Sequence, residues 1–124
     1  MARAFVQAYL QLLLLEPYLW RGDFVGLYER VRECPVTGQT LETKAIHKVC
    51  EAMDLACIWY WKQALCLQRS AALTCLLRRH GVTANLVIGV QQMPFRSHAW
   101  VEVEGRVFND KSYVSEMFAV LDKC

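Results

Sequence analysis

The segment from Leu67 to Arg79 limits most what this chain can become. Ala71, Ala72, Leu73, Cys75, Leu76 and Leu77 leave it apolar almost all round, and a helix without a broad polar face has to be enclosed by other elements. The enclosure must come from a chain of 124 residues, a length that suits one domain with one hydrophobic core. Arg78, Arg79 and His80 close the segment with positive charge against the helix dipole, and Gly81 is placed to cap it.

Upstream of that segment the apolar residues keep a helical period. Residues 2–15 read as a leucine-rich helix ended by Pro17, and Gly22–Val31 as a short helix with Asp23 near its start. Cys34-Pro35-Val36-Thr37-Gly38 reads as a loop. A third helix carries Ile46, Val49, Met53 and Ala56 as a stripe, with Thr40 or Thr43 as its cap and Glu42 in its first turn. Downstream the period changes. Leu86, Val87, Ile88 and Val90 mark a strand over Ala84–Val90, Pro94 interrupts, and His98–Val103 and Arg106–Phe108 flank Glu104-Gly105 as a hairpin. Ser112–Val120 reads as a short closing helix. Helices followed by a small antiparallel sheet make the fold class α+β. The expected organisation is a single domain over residues 1–124, with a helical N-terminal part to residue 40 and a core from 40 to 124.

Composition removes several function classes. Hydrophobic residues make up 55% of the chain, which excludes a disordered segment. The net charge is +2 with no basic block, so nucleic acid is not an expected partner. The six cysteines fall largely inside helical apolar patterns and read as buried small hydrophobes more than as a disulfide framework. No Cys-x-x-Cys pair occurs, and the cysteines with His47, His80 and His98 do not have zinc-module spacing, so no metal is expected. The apolar run Ala4–Leu15 is short of the roughly 20 residues of a membrane span. Glu16-Pro17-Tyr18 follows it where a signal peptide would carry small residues. These features predict a cytoplasmic protein without stable membrane insertion, and an apolar, partner-facing surface near residues 5–20 or on the strands.

Three residues carry chemistry. Cys66 opens the central helix, where unpaired N–H groups and the dipole favour thiolate, the nucleophilic form. His98 lies on a strand, and Asp110 ends the next one. Each alone has an ordinary structural explanation: a packed cysteine, a strand histidine, a turn aspartate. The hairpin register decides whether the last two meet. A two-residue turn would set Val103 opposite Arg106 and turn His98 and Asp110 to opposite faces. A three-residue loop with Gly105 left-handed sets Glu102 opposite Arg106, Trp100 opposite Phe108 and His98 opposite Asp110. We expect the second register. His98 then acts as general base and acid for Cys66, and Asp110 orients it. The backbone N–H of Cys66 and the Gln63 amide are candidate oxyanion donors. Arg69 is a candidate substrate anchor, or else a surface salt bridge. Trp59, Tyr60, Trp61 and Trp100 read first as core, with one ring available to line a cleft.

Cys66-Leu67-Gln68-Arg69-Ser70, Leu76-Leu77-Arg78-Arg79-His80-Gly81-Val82, Val87-Ile88-Gly89-Val90, Pro94-Phe95, His98-Ala99-Trp100-Val101-Glu102, Gly105-Arg106-Val107 and Asn109-Asp110 resemble the lasso-peptide leader peptidase family, over roughly residues 40–124. Gln68 stands where many relatives carry proline. The resemblance implies a transglutaminase-like, papain-related fold with Cys66, His98 and Asp110 as its triad, and no cofactor. It implies removal of the leader from a ribosomally made precursor, after which a cyclase closes a macrolactam. It also implies partners: the precursor leader peptide, a separate small leader-recognition protein, and the lasso cyclase. Two other readings stay open on sequence alone. The same triad supports a transamidase, in which an amine captures the thioester, and the chain could serve a maturation complex as a non-catalytic adaptor.

Overall fold

The computed structural model describes residues 2–37, 42–92, 95–108 and 117–124. Four helices come first: α1 (Ala2–Trp20), α2 (Phe24–Glu33), α3 (Thr43–Trp59) and α4 (Cys66–Arg79). Four strands follow: β1 (Ala84–Gln92), β2 (Phe95–Val103), β3 (Arg106–Val107) and β4 (Ala119–Lys123). The strands form one antiparallel sheet in the order β3-β2-β1-β4. The architecture is α+β, as the change of period predicts.

Helix α4 is the enclosed centre. Gln68 and every residue from Ser70 to Arg78 are buried. One core joins Leu73, Leu76 and Leu77 of α4 to Ala8, Leu12 and Leu15 of α1, to Ile46, Val49 and Met53 of α3, and to Leu86, Ala99 and Val101 of the sheet. Gly81, with φ +82°, ends α4 as expected, and the N–H of Val82 returns to the Leu77 carbonyl at 3.0 Å. Arg78 does more than balance a dipole. Its buried guanidinium donates to the carbonyls of Val31, of Cys34 (3.4 Å) and of Ala84 (3.0 Å), tying α2 and β1 to the end of α4.

Several boundaries differ from the sequence reading, each for a physical reason. Helix α1 does not stop before Pro17 but runs through it to Trp20. A proline inside a helix costs about 3 kcal/mol; here the packing of Leu12, Leu15, Tyr18 and Leu19 on the core spans the break. The turn comes at Gly22, φ +65°. Asp23 caps α2, its carboxylate accepting the Gly26 N–H at 2.9 Å. Glu42, not Thr43, occupies the cap position of α3, without a side-chain bond; Thr40 lies outside the described residues. The expected helix over Ser112–Val120 is corrected at its end: Met117 is helical, but Ala119–Lys123 is strand β4, paired with β1, and residues 112–116 lie outside the described residues.

The hairpin register is also corrected. Val103 pairs with Arg106 and Glu102 with Val107, around a two-residue turn in which Glu104 (φ 52°) and Gly105 (φ 80°) are both left-handed. Turns of that hand match the twist of the flanking strands. This register sends Val107 to the outer sheet face with Trp100 and Val87, and Phe108 to the helix-covered face, its ring 5.2 Å from His47. Both apolar residues are sheltered at once. The three-residue loop would have exchanged them.

Candidate active site

Cys66 is the first residue of α4. Leu65 before it has extended backbone and supplies no side-chain cap, so the start of α4 keeps its N–H groups for another acceptor. The first intrahelical bond runs from the Arg69 N–H to the Leu65 carbonyl at 2.9 Å. Cys66 is partly exposed, as a nucleophile must be.

The start of α4 is pinned to β2 one turn after Cys66 by Ser70, whose hydroxyl donates to the Ala99 carbonyl at 3.1 Å in a buried bond. That bond lies one residue from His98. Cys66 and Leu67 from α4 meet Ile88 of β1 and Ser97, His98 and Ala99 of β2 around a cavity of about 90 Å³. The structure therefore brings Cys66 and His98 to the walls of one cavity. Strand β3 pairs with β2 only at Glu102 and Val103, so among the described residues no strand covers the β2 edge at 97–99.

Alternation along β2 puts Ala99, Val101 and Val103 on the helix side and Trp100 on the other. The His98 ring associates with this outer layer, stacked on Phe118 (centroids 5.4 Å, 29°) and 6.1 Å from Trp100. Trp100 is fully buried, and its indole N–H donates to Glu102 at 2.8 Å. Lys123 of β4 approaches the other Glu102 oxygen at 3.3 Å. Trp100 is thus packing beneath the histidine, not a cleft-lining ring. Gly89, opposite His98 across the sheet, makes room for that packing.

Asp110 lies outside the described residues. The described part of the hairpin sets Val103, not Glu102, opposite Arg106. Gln63 and Arg69 come together in a different cavity, of about 380 Å³, with Asp54, Cys57, Ile58 and Ala64. Neither lines the Cys66 cavity. Sequence reasoning missed Ser70 and Phe118. Ser70 had a signal, since it sits one turn after Cys66; Phe118 comes close only through the β4 pairing.

The other thiols differ from Cys66 in setting. Burial pushes Cys50 up to about 12 and Cys57 up to about 11. Cys34 is held low by a hydrogen bond from Cys75, with burial opposing and Arg30, Arg78 and Arg79 assisting; the same bond, with burial, drives Cys75 up. Among the described residues no group of three His, Cys, Asp or Glu side chains converges as metal ligands would. On the far side of α1, Val6, Leu10, Leu13, Leu14 and Trp20 are exposed. A groove of about 720 Å³ runs between Leu13, Glu16, Pro17, Trp20, Arg21 and Trp61. No helix among the described residues is long and apolar enough to cross a membrane.

Comparison with known proteins agrees with this architecture. A family model described as the transglutaminase-like superfamily matches residues 10–123, reaching well into the N-terminal helices. A 56-residue stretch is 45% identical to the microcin J25-processing protein McjB of Escherichia coli, covering 45% of this chain and 27% of that protein. The aligned part is therefore about a quarter of that relative's length. No solved structure matches the chain.

Proposed function

The chain belongs to the transglutaminase-like superfamily, and from that premise we propose that it is a cysteine peptidase that removes the leader from a ribosomally made lasso-peptide precursor, as one domain in the cytoplasm. The observation that carries the reading is Cys66 at the uncapped start of α4, sharing a cavity with His98. The likeness to a microcin-processing protein supports the substrate class.

In this mechanism His98 takes the Cys66 proton, and the thiolate attacks the carbonyl carbon of the scissile amide. The oxyanion accepts the N–H of Cys66 at the helix start. His98 returns the proton to the leaving nitrogen, the C–N bond breaks, and a thioester joins the leader to Cys66. Water then attacks the thioester with His98 as base, freeing the leader acid and the thiol. Asp110 orients His98 and stabilises its cationic form. A separate leader-recognition protein docks on the exposed apolar surface of α1, and the cyclase takes the freed amine of the core peptide. Lysine substitutions at Leu10 and Leu14 weaken that docking; unchanged complex formation would remove the surface from consideration.

The test is cleavage of the precursor from the neighbouring genes, with and without the recognition protein, followed by mass spectrometry. A single cut with addition of water, lost in Cys66→Ala and His98→Ala, supports the peptidase. Equal cutting by Cys66→Ala refutes the nucleophile. A product without added water, carrying an amine in its place, replaces hydrolysis by transamidation.

A further inference from the structure

Glu16 is a carboxylate on α1 that is only 8% exposed, and three side chains from the far end of the helical layer converge on it. Tyr60 Oη donates to Oε1 at 2.7 Å, and Gln68 Nε2 donates to the same oxygen at 2.8 Å. Lys62 Nζ lies 2.8 Å from Oε2. Gln68 Nε2 also donates to the Leu12 carbonyl at 3.0 Å, one turn back along α1. The Tyr60 ring packs on Tyr9 of the same helix at 5.1 Å. Burial alone would push the Glu16 carboxyl up, but the bonds from Lys62, Tyr60 and Gln68 and the Lys62 charge outweigh it and hold it below its ordinary value.

The partners sit on both sides of Cys66 in sequence. Tyr60 and Lys62 belong to the connection that enters α4, and Gln68 lies in its first turn, two residues after the cysteine. Leu65 supplies no side-chain cap, so the entry to α4 is not fixed locally. It is gripped instead from α1 on one side and through Ser70 on Ala99 on the other. A buried, multiply bonded carboxylate is costly to assemble; Tyr60, Gln68 and Lys62 hold this one, with Gln68 Oε1 left without a hydrogen-bond partner among the described residues.

We propose that Glu16 is a positioning residue for the nucleophile: through Tyr60, Lys62 and Gln68 it fixes where the first turn of α4 presents Cys66 to the cavity shared with His98. The kinetic consequence rests on the peptidase reading of that site; the placement of Cys66 does not. Gln68 has its role in this grip: from the first turn of α4 its side-chain amide donates to Glu16 and to the Leu12 carbonyl, both on α1.

The experiment uses the full chain with Glu16→Gln, Tyr60→Phe and Lys62→Met, and with Glu29→Gln, on an exposed ion pair with Arg32, as control. Folded content is checked first by circular dichroism. Iodoacetamide labelling is then read residue by residue, Cys66 against Cys124 in the same molecule, so that general loosening cancels. In Glu16→Gln the Cys66 to Cys124 labelling ratio falls about threefold or more, and kcat on the precursor falls about tenfold with KM within about twofold. Tyr60→Phe moves both readouts the same way by less, and Glu29→Gln moves neither. A purely stabilising role would lower the melting temperature and leave the ratio and kcat in place, and that result overturns the proposal. If Glu16→Gln does not fold, Tyr60→Phe and Lys62→Met decide by the same ratio. If the ratio falls while even the wild type cuts no precursor, the positioning role stands and the peptidase reading fails.

Discussion

Replacing Gly89 with alanine tests the packing that holds His98. A Cβ at this position would lie 2.6 Å from Trp100 Cη2 and 2.8 Å from both Trp100 Cζ3 and Phe118 Cβ. Carbon atoms in contact prefer roughly 3.5–4.0 Å, so the shortfall is about 1 Å. The indole has little room to yield. It is fully buried, and its N–H is committed to Glu102, which faces Lys123. At an unhindered strand position Gly→Ala would stabilise by about 0.5–1 kcal/mol through the unfolded chain. Here overpacking, at about 1–3 kcal/mol, reverses the sign. We expect Gly89→Ala to lose about 2 kcal/mol in urea unfolding, with the slope unchanged. Trp100→Phe removes the two offending ring atoms, so in that background the alanine costs about 1 kcal/mol less. A neutral or stabilising Gly89→Ala, or equal costs in both backgrounds, would falsify the packing argument.

Three further outcomes follow from single contacts. Arg78→Met strands the carbonyls of Val31 and Ala84 in the interior and lowers stability by about 3 kcal/mol; a change under about 1 kcal/mol in the same assay means that water reaches those carbonyls. The Glu16 carboxyl is held below its ordinary 4.5, so its contribution is complete above that value and is lost as pH falls through the lower folded one. Wild type therefore loses stability faster than Glu16→Gln on acidification below 4.5, and parallel pH–stability curves would contradict the network. Because Cys34 is held low while burial raises Cys50 and Cys57, mild alkylation near neutral pH labels Cys34 and spares those two. Labelling of Cys50 in folded protein would show that α3 opens.

The helices were legible because their signals are local. Ile46, Val49, Met53 and Ala56 are all buried on α3, and the all-round apolar character of α4 marked the one helix that others surround. What misled were features settled by distant contacts. Pro17 is a helix breaker in isolation, but core packing on both sides of it carries α1 through. Pairing Trp100 with Phe108 and His98 with Asp110 favours the three-residue loop, but such local pairing leaves out where Phe108 is sheltered. His47 of α3 provides that place on the opposite face, and nothing near the hairpin announces it. Cys66 and His98 were legible only as candidates, since each alone has an ordinary structural explanation; the cavity they share comes from the packing of α4 on β2. Gln63 and Arg69 could not be separated from them, since neighbours in sequence point to different cavities at a helix start.

Cys66 and His98 are also held by different parts of the molecule, and this bears on how each would fail. The cysteine depends on the helical layer: α1 through Glu16, and the start of α4 through Gln68 and Ser70. The histidine depends on the outer sheet face, where Phe118, Trp100 and the space above Gly89 fix its ring. The Ser70–Ala99 bond joins the two layers one residue from His98. Cutting it with Ser70→Ala leaves each layer its own contacts and the core packing between them, while loosening their mutual position near His98. Damage to one layer should then add to damage in the other. With Ser70 intact, the two should be coupled, so that Gly89→Ala changes Cys66 labelling although the glycine does not line the Cys66 cavity.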